Sequence, residues 1–362
     1  MEELEALLII SRLPYVGASK VRFLMEQYGS ASALLQAPLE QIAAFPGFGP
    51  KVLQGWKKGI EDQRWRDDLA LADRLQAHLI PFTSPQYPRR LLEIHDCPLI
   101  LYMQGTLTRE DQRSLAIVGT RHCSIYGQEM AKELSIKLSQ AGFTIVSGLA
   151  RGIDTVAHQG ALEHGRTLAV LGSGLAAIYP TENQDLARQI QQKGALISEF
   201  PMKTPPDRHH FPRRNRIVSG MTMGTILIEA PQKSGAMLTA ALALGQGRPV
   251  FALPGRVDCD SFKGNHALIK EHKATLIENV DDILRMFDHY SLPLVFKSEK
   301  KSSFHLDQEE KELLNQMPIQ EMSVEELVLR IQWPIAKLNG VLMSLVLKKM
   351  VKEYPGKIYK KI

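Results

Sequence analysis

The chain has 362 residues, 44% hydrophobic and 23% charged, with a formal net charge of +5. That length predicts two or three domains with ample core material, and that charge permits a polyanionic partner without requiring one. Cys97, Cys123 and Cys259 are far apart, odd in number and form no C-x-x-C pair, which argues against a disulfide framework or a zinc site. The start, MEELEALLII, is acidic where a signal peptide is basic, and no apolar stretch approaches the ~20 residues of a membrane span. A reducing, cytoplasmic setting without membrane attachment is therefore expected.

Residues 1–80 lack strand alternation and read as helical. Two related phrases recur there, LPYVGASKVRFLM (Leu13 to Met25) and FPGFGPKVLQGW (Phe45 to Trp56). Each joins a Gly-containing turn to a helical apolar period, as in a helix-hairpin-helix or SAM-like domain. Such a turn exposes backbone N–H groups to a DNA phosphate. The same phrases also suit plain interhelical turns.

From Ser114 to about Leu284, short apolar runs alternate with helical stretches. Strands are expected at 115–118, 144–146, 168–171, 195–198, 225–228 and 250–253, with helices such as 128–141 and 186–193 between them. Continuous apolar runs separated by helices indicate a parallel sheet covered on both faces, a Rossmann-like α/β core. Residues 291–305 lose periodicity and read as a linker. Three helical patterns and the strand-like tail VKEYPGKIYKKI, turning at Pro355 and Gly356, predict a winged helix over 306–362. Its nine Lys and Arg face eight acids, a balance that favours protein interaction or weak DNA binding over a dedicated DNA reader. The expected domains are thus 1–80, 81–290 and 306–362.

The chemistry concentrates where strands end. AIVGTRHCSIYG offers the Gly119 and Thr120 amides, Arg121, and Ser124 at a helix start; such a turn binds phosphate, and a guanidinium strengthens it. SGLARGID repeats the idea with Arg151 and Gly152, Asp154 is placed to cap the following helix, and His158 on that helix reads as structural. A third glycine turn carries Ser234 and Gly235. GSGLAA (Gly172 to Ala177) mimics a dinucleotide loop, but Ile178, Tyr179 and Pro180 interrupt the helix that loop requires. No cofactor is expected. Residues 208–216 read RHHFPRRNR, a basic loop with four arginines and one phenylalanine. Guanidinium groups that pair with phosphates, and a ring on which a base can stack, are the chemistry of a single-stranded nucleic-acid grip.

Together these phrases resemble the DprA/Smf family of bacterial DNA-processing proteins. The likeness runs from Ser114 to about Ile269 through AIVGTR, SGLARGID, AVLGSGL, SEF, FPRRNRIVSG and VFALPG, followed by Gly264 and Asn265. The resemblance implies a non-enzymatic protein that binds single-stranded DNA through its Rossmann-like domain, forms homodimers through that domain, and loads the RecA recombinase in transformation. It places Arg121 at phosphate, and Phe211, Arg213, Arg214 and Asn215, with Arg216 beside them, in the aromatic and basic segment. One departure is His272, Lys273 and Ala274, where the family has a Gly-Ala pair. The alternative is a phosphoribohydrolase of the lysine-decarboxylase-like group. Such an enzyme needs carboxylates beside the glycine turn, and the nearest acid is Glu229 on the preceding strand.

Overall fold

Fully apolar strands need cover on both faces, and that requirement shapes the molecule. A computed structural model describes residues 2–287 and 306–361 apart from Ile319, Lys349 and Pro355. The linker expected at 291–305 and Pro355 of the expected hairpin turn lie outside the described residues. The chain divides into two compact units, 1–296 and 297–362.

The first unit is built on a nine-stranded sheet. Its strands are β1 (His78–Pro81), β2 (Ile100–Gly105), β3 (Ser114–Val118), β4 (Thr144–Ser147), β5 (Thr167–Val170), β6 (Ala195–Ser198), β7 (Thr225–Leu227), β8 (Val250–Ala252) and β9 (Thr275–Leu276). They lie in the order β1-β2-β6-β5-β4-β3-β7-β8-β9. From β6 to β9 every pair is parallel, and β2 joins β6 antiparallel, as β1 joins β2. Every residue of β3 to β8 is buried, so the continuous apolar runs form the parallel core. The alternation of strands and helices along the chain carries no sign of β1, β2 or β9, which extend the sheet at its edges.

Helices Ile125–Gln140, Ile153–His164 and Val280–Phe287 share one cluster with the sheet through Leu134, Ala157 and Ile283. Helices His210–Gly220, Gly235–Gly245 and Lys263–Lys270 share another through Ile217, Ala240 and Leu268.

The N-terminal helices share a third cluster with the sheet, where Leu7, Leu34 and Trp56 join Tyr102 and Leu196. The two recurring phrases each form a turn that opens a helix, Ala18–Tyr28 after Gly17 and Pro50–Glu61 after Gly49. A Cβ on Gly55 would lie 2.7 Å from Pro14 Cγ, so the second helix needs glycine there to meet the first turn. A buried polar knot completes the join. Asp68 accepts hydrogen bonds from the Tyr102 hydroxyl (2.5 Å) and the Met202 amide (2.7 Å), and pairs with Arg12 at 2.8 Å.

The second unit has three helices, Gln308–Gln316, Val324–Ile331 and Ile335–Leu347, and a three-stranded sheet of β10 (Met322–Ser323), β11 (Val351–Tyr354) and β12 (Ile358–Lys361). This is a winged helix. Asp307 with Glu310, and Ser323 with Glu326, form reciprocal capping boxes that start the first two helices.

Removing Asp68 strands three polar partners at once, and breaking a buried pair is costly. Asp68→Ala is expected to lower stability by about 3 kcal/mol, discounted for the partial exposure of Arg12. The urea midpoint measures it; a loss below about 0.5 kcal/mol, the scale of an ordinary surface change, would remove the knot from this account.

Candidate nucleic-acid interface

The strand order reverses between β3 and β7, and in open α/β sheets ligands occupy the crevice beyond such strand ends. Here the crevice is filled by the protein itself. The Thr120 amide donates to the Glu229 carbonyl at 2.7 Å, so it is not the open ligand donor that the turn's sequence suggested. Glu229 is 1% exposed, and its Oε2 accepts from the Ser124 amide (2.9 Å) and hydroxyl (2.8 Å). Ser124 Oγ in turn accepts from the Gly127 amide at 3.0 Å and caps helix Ile125–Gln140. A Cβ on Gly127 would overlap the Glu229 carboxylate. Gly119 packs on Ile153 and the Glu229 carbonyl in the same knot.

The open chemistry lies one step along the sheet, over the carboxyl ends of β3, β4 and β5. There Arg121, Gly148, Ala150, Arg151, Tyr179, Pro180, Phe211 and Arg214 enclose about 10 Å³ of free space, at most enough for one water. The Arg121 guanidinium carbon sits 5.3 Å from the centre of the Phe211 ring, a cation–π contact. Tyr179 flanks the same ring, centroids 6.1 Å apart at 45°. Phe211 can lie this low because residue 172 is glycine: a Cβ there would be 2.7 Å from Phe211 Cδ1. The glycines of the dinucleotide-like phrase therefore seat an aromatic ring. Arg151 is half-exposed and paired through Nε to Glu182.

The basic segment differs from the expected loop. From His210 it is the first part of helix His210–Gly220, with Pro212 tolerated in the first turn. The helical period then deals its residues to different faces. Arg214 is 4% exposed, and its Nη1 donates to the Val170 carbonyl at 2.7 Å. Burial lowers its pKa, with the charge of Asp154 opposing. Arg216 is also buried, pairing with Glu199 through Nη2 and with Asp96 through Nε at 3.2 Å. Arg213 remains exposed, 3.6 Å from Glu199 and with its guanidinium carbon 5.2 Å from the Phe200 ring centre. Asn215 donates to the Gly235 carbonyl at 3.3 Å, and Ser234 caps helix Gly235–Gly245.

The candidate residues thus fall into groups. Arg121, Arg151, Phe211 and Arg214 come together, with Thr120 and Gly152 beneath them. Arg213 and Arg216 face Glu199, while Asn215, Ser234 and Gly235 form a separate contact. Gly152 has φ +73°, and a Cβ there would lie 2.7 Å from the Arg121 carbonyl oxygen, so the β4 turn packs directly on the β3 turn. Asp154, expected to cap its own helix, instead accepts from the upstream amides of Gly148 (3.1 Å) and Ala150 (3.3 Å). Burial pushes its carboxyl pKa up, opposed by Arg214 and those amides. His158 is fully buried between the Leu149 amide (3.3 Å) and the Thr167 hydroxyl (2.6 Å). Sequence reasoning misses Tyr179 and Glu182 as site residues; the Tyr-Pro that breaks the dinucleotide-like loop is the available signal for the first, and nothing marks the second.

The fold and this arginine–aromatic cluster define a doubly wound α/β protein that presents cations and a ring at its strand ends, joined to a winged helix. Residues 78–288 match the family model described as DNA recombination-mediator protein A, and residues 297–357 match the DprA winged helix domain. The chain belongs to the DNA recombination-mediator protein A family. It is 39% identical over 286 residues to Protein Smf of Escherichia coli, covering 77% of this chain and 76% of that protein. It is 40% identical over 206 residues to DNA processing protein DprA of Bacillus subtilis, covering 56% and 69%. The X-ray structure of DNA processing protein A from Streptococcus pneumoniae superposes with a TM-score of 0.68 at 31% identity, over 79% of this chain and 98% of that one. The Helicobacter pylori protein, whose structure is described by its single-stranded DNA binding mode, gives 0.54 at 29% identity over 59% and 98%.

Burial, and then the Arg214 charge, hold the His158 pKa down at about 3, against 6.5 for a free imidazole. The unfolded chain therefore takes up this proton first. The contribution of neutral His158 is intact above about pH 6.5 and is lost as pH falls toward 3. Urea unfolding at pH 7 and pH 5 should show a smaller acid loss for His158→Gln than for the unaltered chain. Equal losses would assign the acid limb to other groups.

Proposed function

We propose that this chain is a non-catalytic recombination mediator that binds single-stranded DNA across the carboxyl ends of β3, β4 and β5. The observation that carries the reading is the Arg121–Phe211 stack beside Arg151 and Arg214. An entering base takes the ring face that Arg121 now covers, and the freed guanidinium turns to a phosphate. The cation–π contact given up is worth about 0.5–1 kcal/mol at an exposed site, whereas base stacking returns about 1–3 kcal/mol. Duplex bases are already stacked and cannot reach the ring. Family membership supports a reading in which RecA receives the strand and the chain works as a homodimer through its Rossmann-like domain, in the cytoplasm. Among the described residues no helix is long and apolar enough to cross a membrane.

The phosphoribohydrolase reading draws no support from the site. Its best acid, Glu229, is buried against the helix-capping Ser124, away from any position where it could meet a substrate bond.

In a competition titration, single strands are expected to win over duplex of the same sequence. Arg121→Ala should weaken single-strand binding and flatten its salt dependence by about 0.7 in log–log slope for each phosphate that the chain no longer neutralises. Unchanged affinity and slope would remove Arg121 from the interface, and stronger duplex binding would move the interface to another part of the chain.

Glu182 gives a second, opposite-signed expectation. Its carboxylate occupies Arg151 where a phosphate would bind, and both groups are about half exposed. Glu182→Gln should therefore tighten single-strand binding by about two- to fivefold at low salt, the scale of one surface pair. A variant that binds more weakly would show that Glu182 shapes the site instead of competing for it.

A further inference from the structure

The third helix of the winged unit, Ile335–Leu347, has the sequence IAKLNGVLMSLVL, with one charged residue. Its inner face is spent on the core: Leu338, Val341, Leu342 and Leu345 are buried with Leu313, Leu327 and Val351. A helix on the surface of a globular protein carries polar residues opposite such a face, and one that is apolar all round is normally covered. Here the opposite face is apolar too. Ala336, Gly340, Met343 and Leu347 follow each other at spacings of four, three and four, which puts them on one narrow stripe. All four are exposed, Met343 by 59% and Leu347 by 76%. Ile335 at the start of the helix is 57% exposed, and Leu329 on the preceding helix 78%. A helix face that leaves Met343 and Leu347 this exposed marks an interaction site.

The charge around the stripe selects the partner. Residues 327–352 contain no Asp or Glu, while Arg330, Lys337, Lys348 and Lys352 lie among them. Lys337 meets Glu309 at 2.8 Å and Lys348 is held by Glu310, but Arg330 has no ion pair among the described residues. DNA fits this face poorly: phosphate contacts require cations, and the stripe itself carries none. Leucine and methionine gain nothing against a phosphate. The spacing, by contrast, is that of a helix seam, and the small residues at 336 and 340 let a second helix approach closely.

We propose that this stripe is the docking face for an acidic amphipathic helix of a partner protein, whose leucine-type side chains pack along Ala336, Gly340, Met343 and Leu347 while its carboxylates meet exposed cations such as Arg330 and Lys337. The proposal concerns the winged unit alone and does not depend on where single-stranded DNA binds.

The test uses the full chain and a fluorescein-labelled two-heptad peptide with leucine at its seam positions and glutamate elsewhere, against the same peptide with lysine for glutamate. Anisotropy should show saturable binding of the acidic peptide, at least about tenfold tighter than the basic one. Met343→Glu and Leu347→Glu should each weaken it about tenfold, with Ala336→Glu as a third probe on the same stripe. Because all three sites are exposed, thermal melts should match the unaltered chain, and single-strand binding should be unchanged. Equal binding of both peptides, or indifference to all three substitutions, would overturn the proposal. Displacement of the acidic peptide by a duplex oligonucleotide would overturn it in favour of a DNA-facing helix. Self-association of the chain that Leu347→Glu abolishes would overturn it in favour of a second copy.

Discussion

The buried guanidinium of Arg214 is the constraint around which the strand ends are arranged. An arginine that is 4% exposed must find charge and acceptors inside the protein, because desolvating a cation without them is prohibitive. The Val170 carbonyl at the end of β5 supplies one acceptor, and Asp154 supplies the opposing charge. Residue 148 must be glycine, since a Cβ there would overlap the guanidinium. Asp154 is fixed in turn by the Gly148 and Ala150 amides, and His158 by the Leu149 amide. One buried arginine thereby sets the turn after β4, the end of β5 and the start of the helix that carries Phe211. A ring seated on Gly172 and a guanidinium above it then follow from packing.

The glycine-rich turns work differently from the phosphate loops they resemble. In a phosphate loop, glycine exposes backbone N–H groups to the ligand. In this chain the missing Cβ atoms mostly admit other parts of the protein: the Glu229 carboxylate at Gly127, the β3 turn at Gly152, Arg214 at Gly148 and Phe211 at Gly172. The switch-point crevice is consequently closed, and the open groups are side chains over the neighbouring strand ends. A site built this way is preorganised by packing and offers little room for a small nucleotide.

That division explains what can be read from the residues. Apolar runs at 115–118, 144–146, 168–171 and 195–198 encode a two-sided parallel sheet, and the parallel core follows from them. β1 and β2 escape such a reading because HLIP and ILYMQG stand outside the strand–helix alternation that reveals the rest. Arg121 and Phe211 are legible as a cation and a ring beside turns. The helix through RHHFPRRNR is not, because its dense charge hides the apolar period of Ile217 and Val218 and its proline reads as a loop. Nor does the segment show that two of its arginines are buried. Arg214 answers to Asp154 and Arg216 to Glu199 and Asp96, acids contributed by other segments and brought close only by the sheet.

The burial of those arginines changes how the electrostatics of the site must be counted. A net charge of +5 on a chain of this size gives weak long-range attraction, so affinity must come from local contacts. Four arginines in nine residues suggest four phosphates. Arg214 and Arg216, however, already have internal partners in a low-dielectric setting, and a phosphate cannot exchange with them without leaving a buried carboxylate or carbonyl unpaired. At the proposed interface only exposed cations can release counterions to an arriving strand; the exposed arginines there are Arg121, Arg151, Arg208 and Arg213, and Arg151 must first leave Glu182. If the strand binds as proposed, the salt dependence of binding counts these exposed cations, brought together from several segments of the chain, and not the length of the basic segment that draws the eye in the sequence.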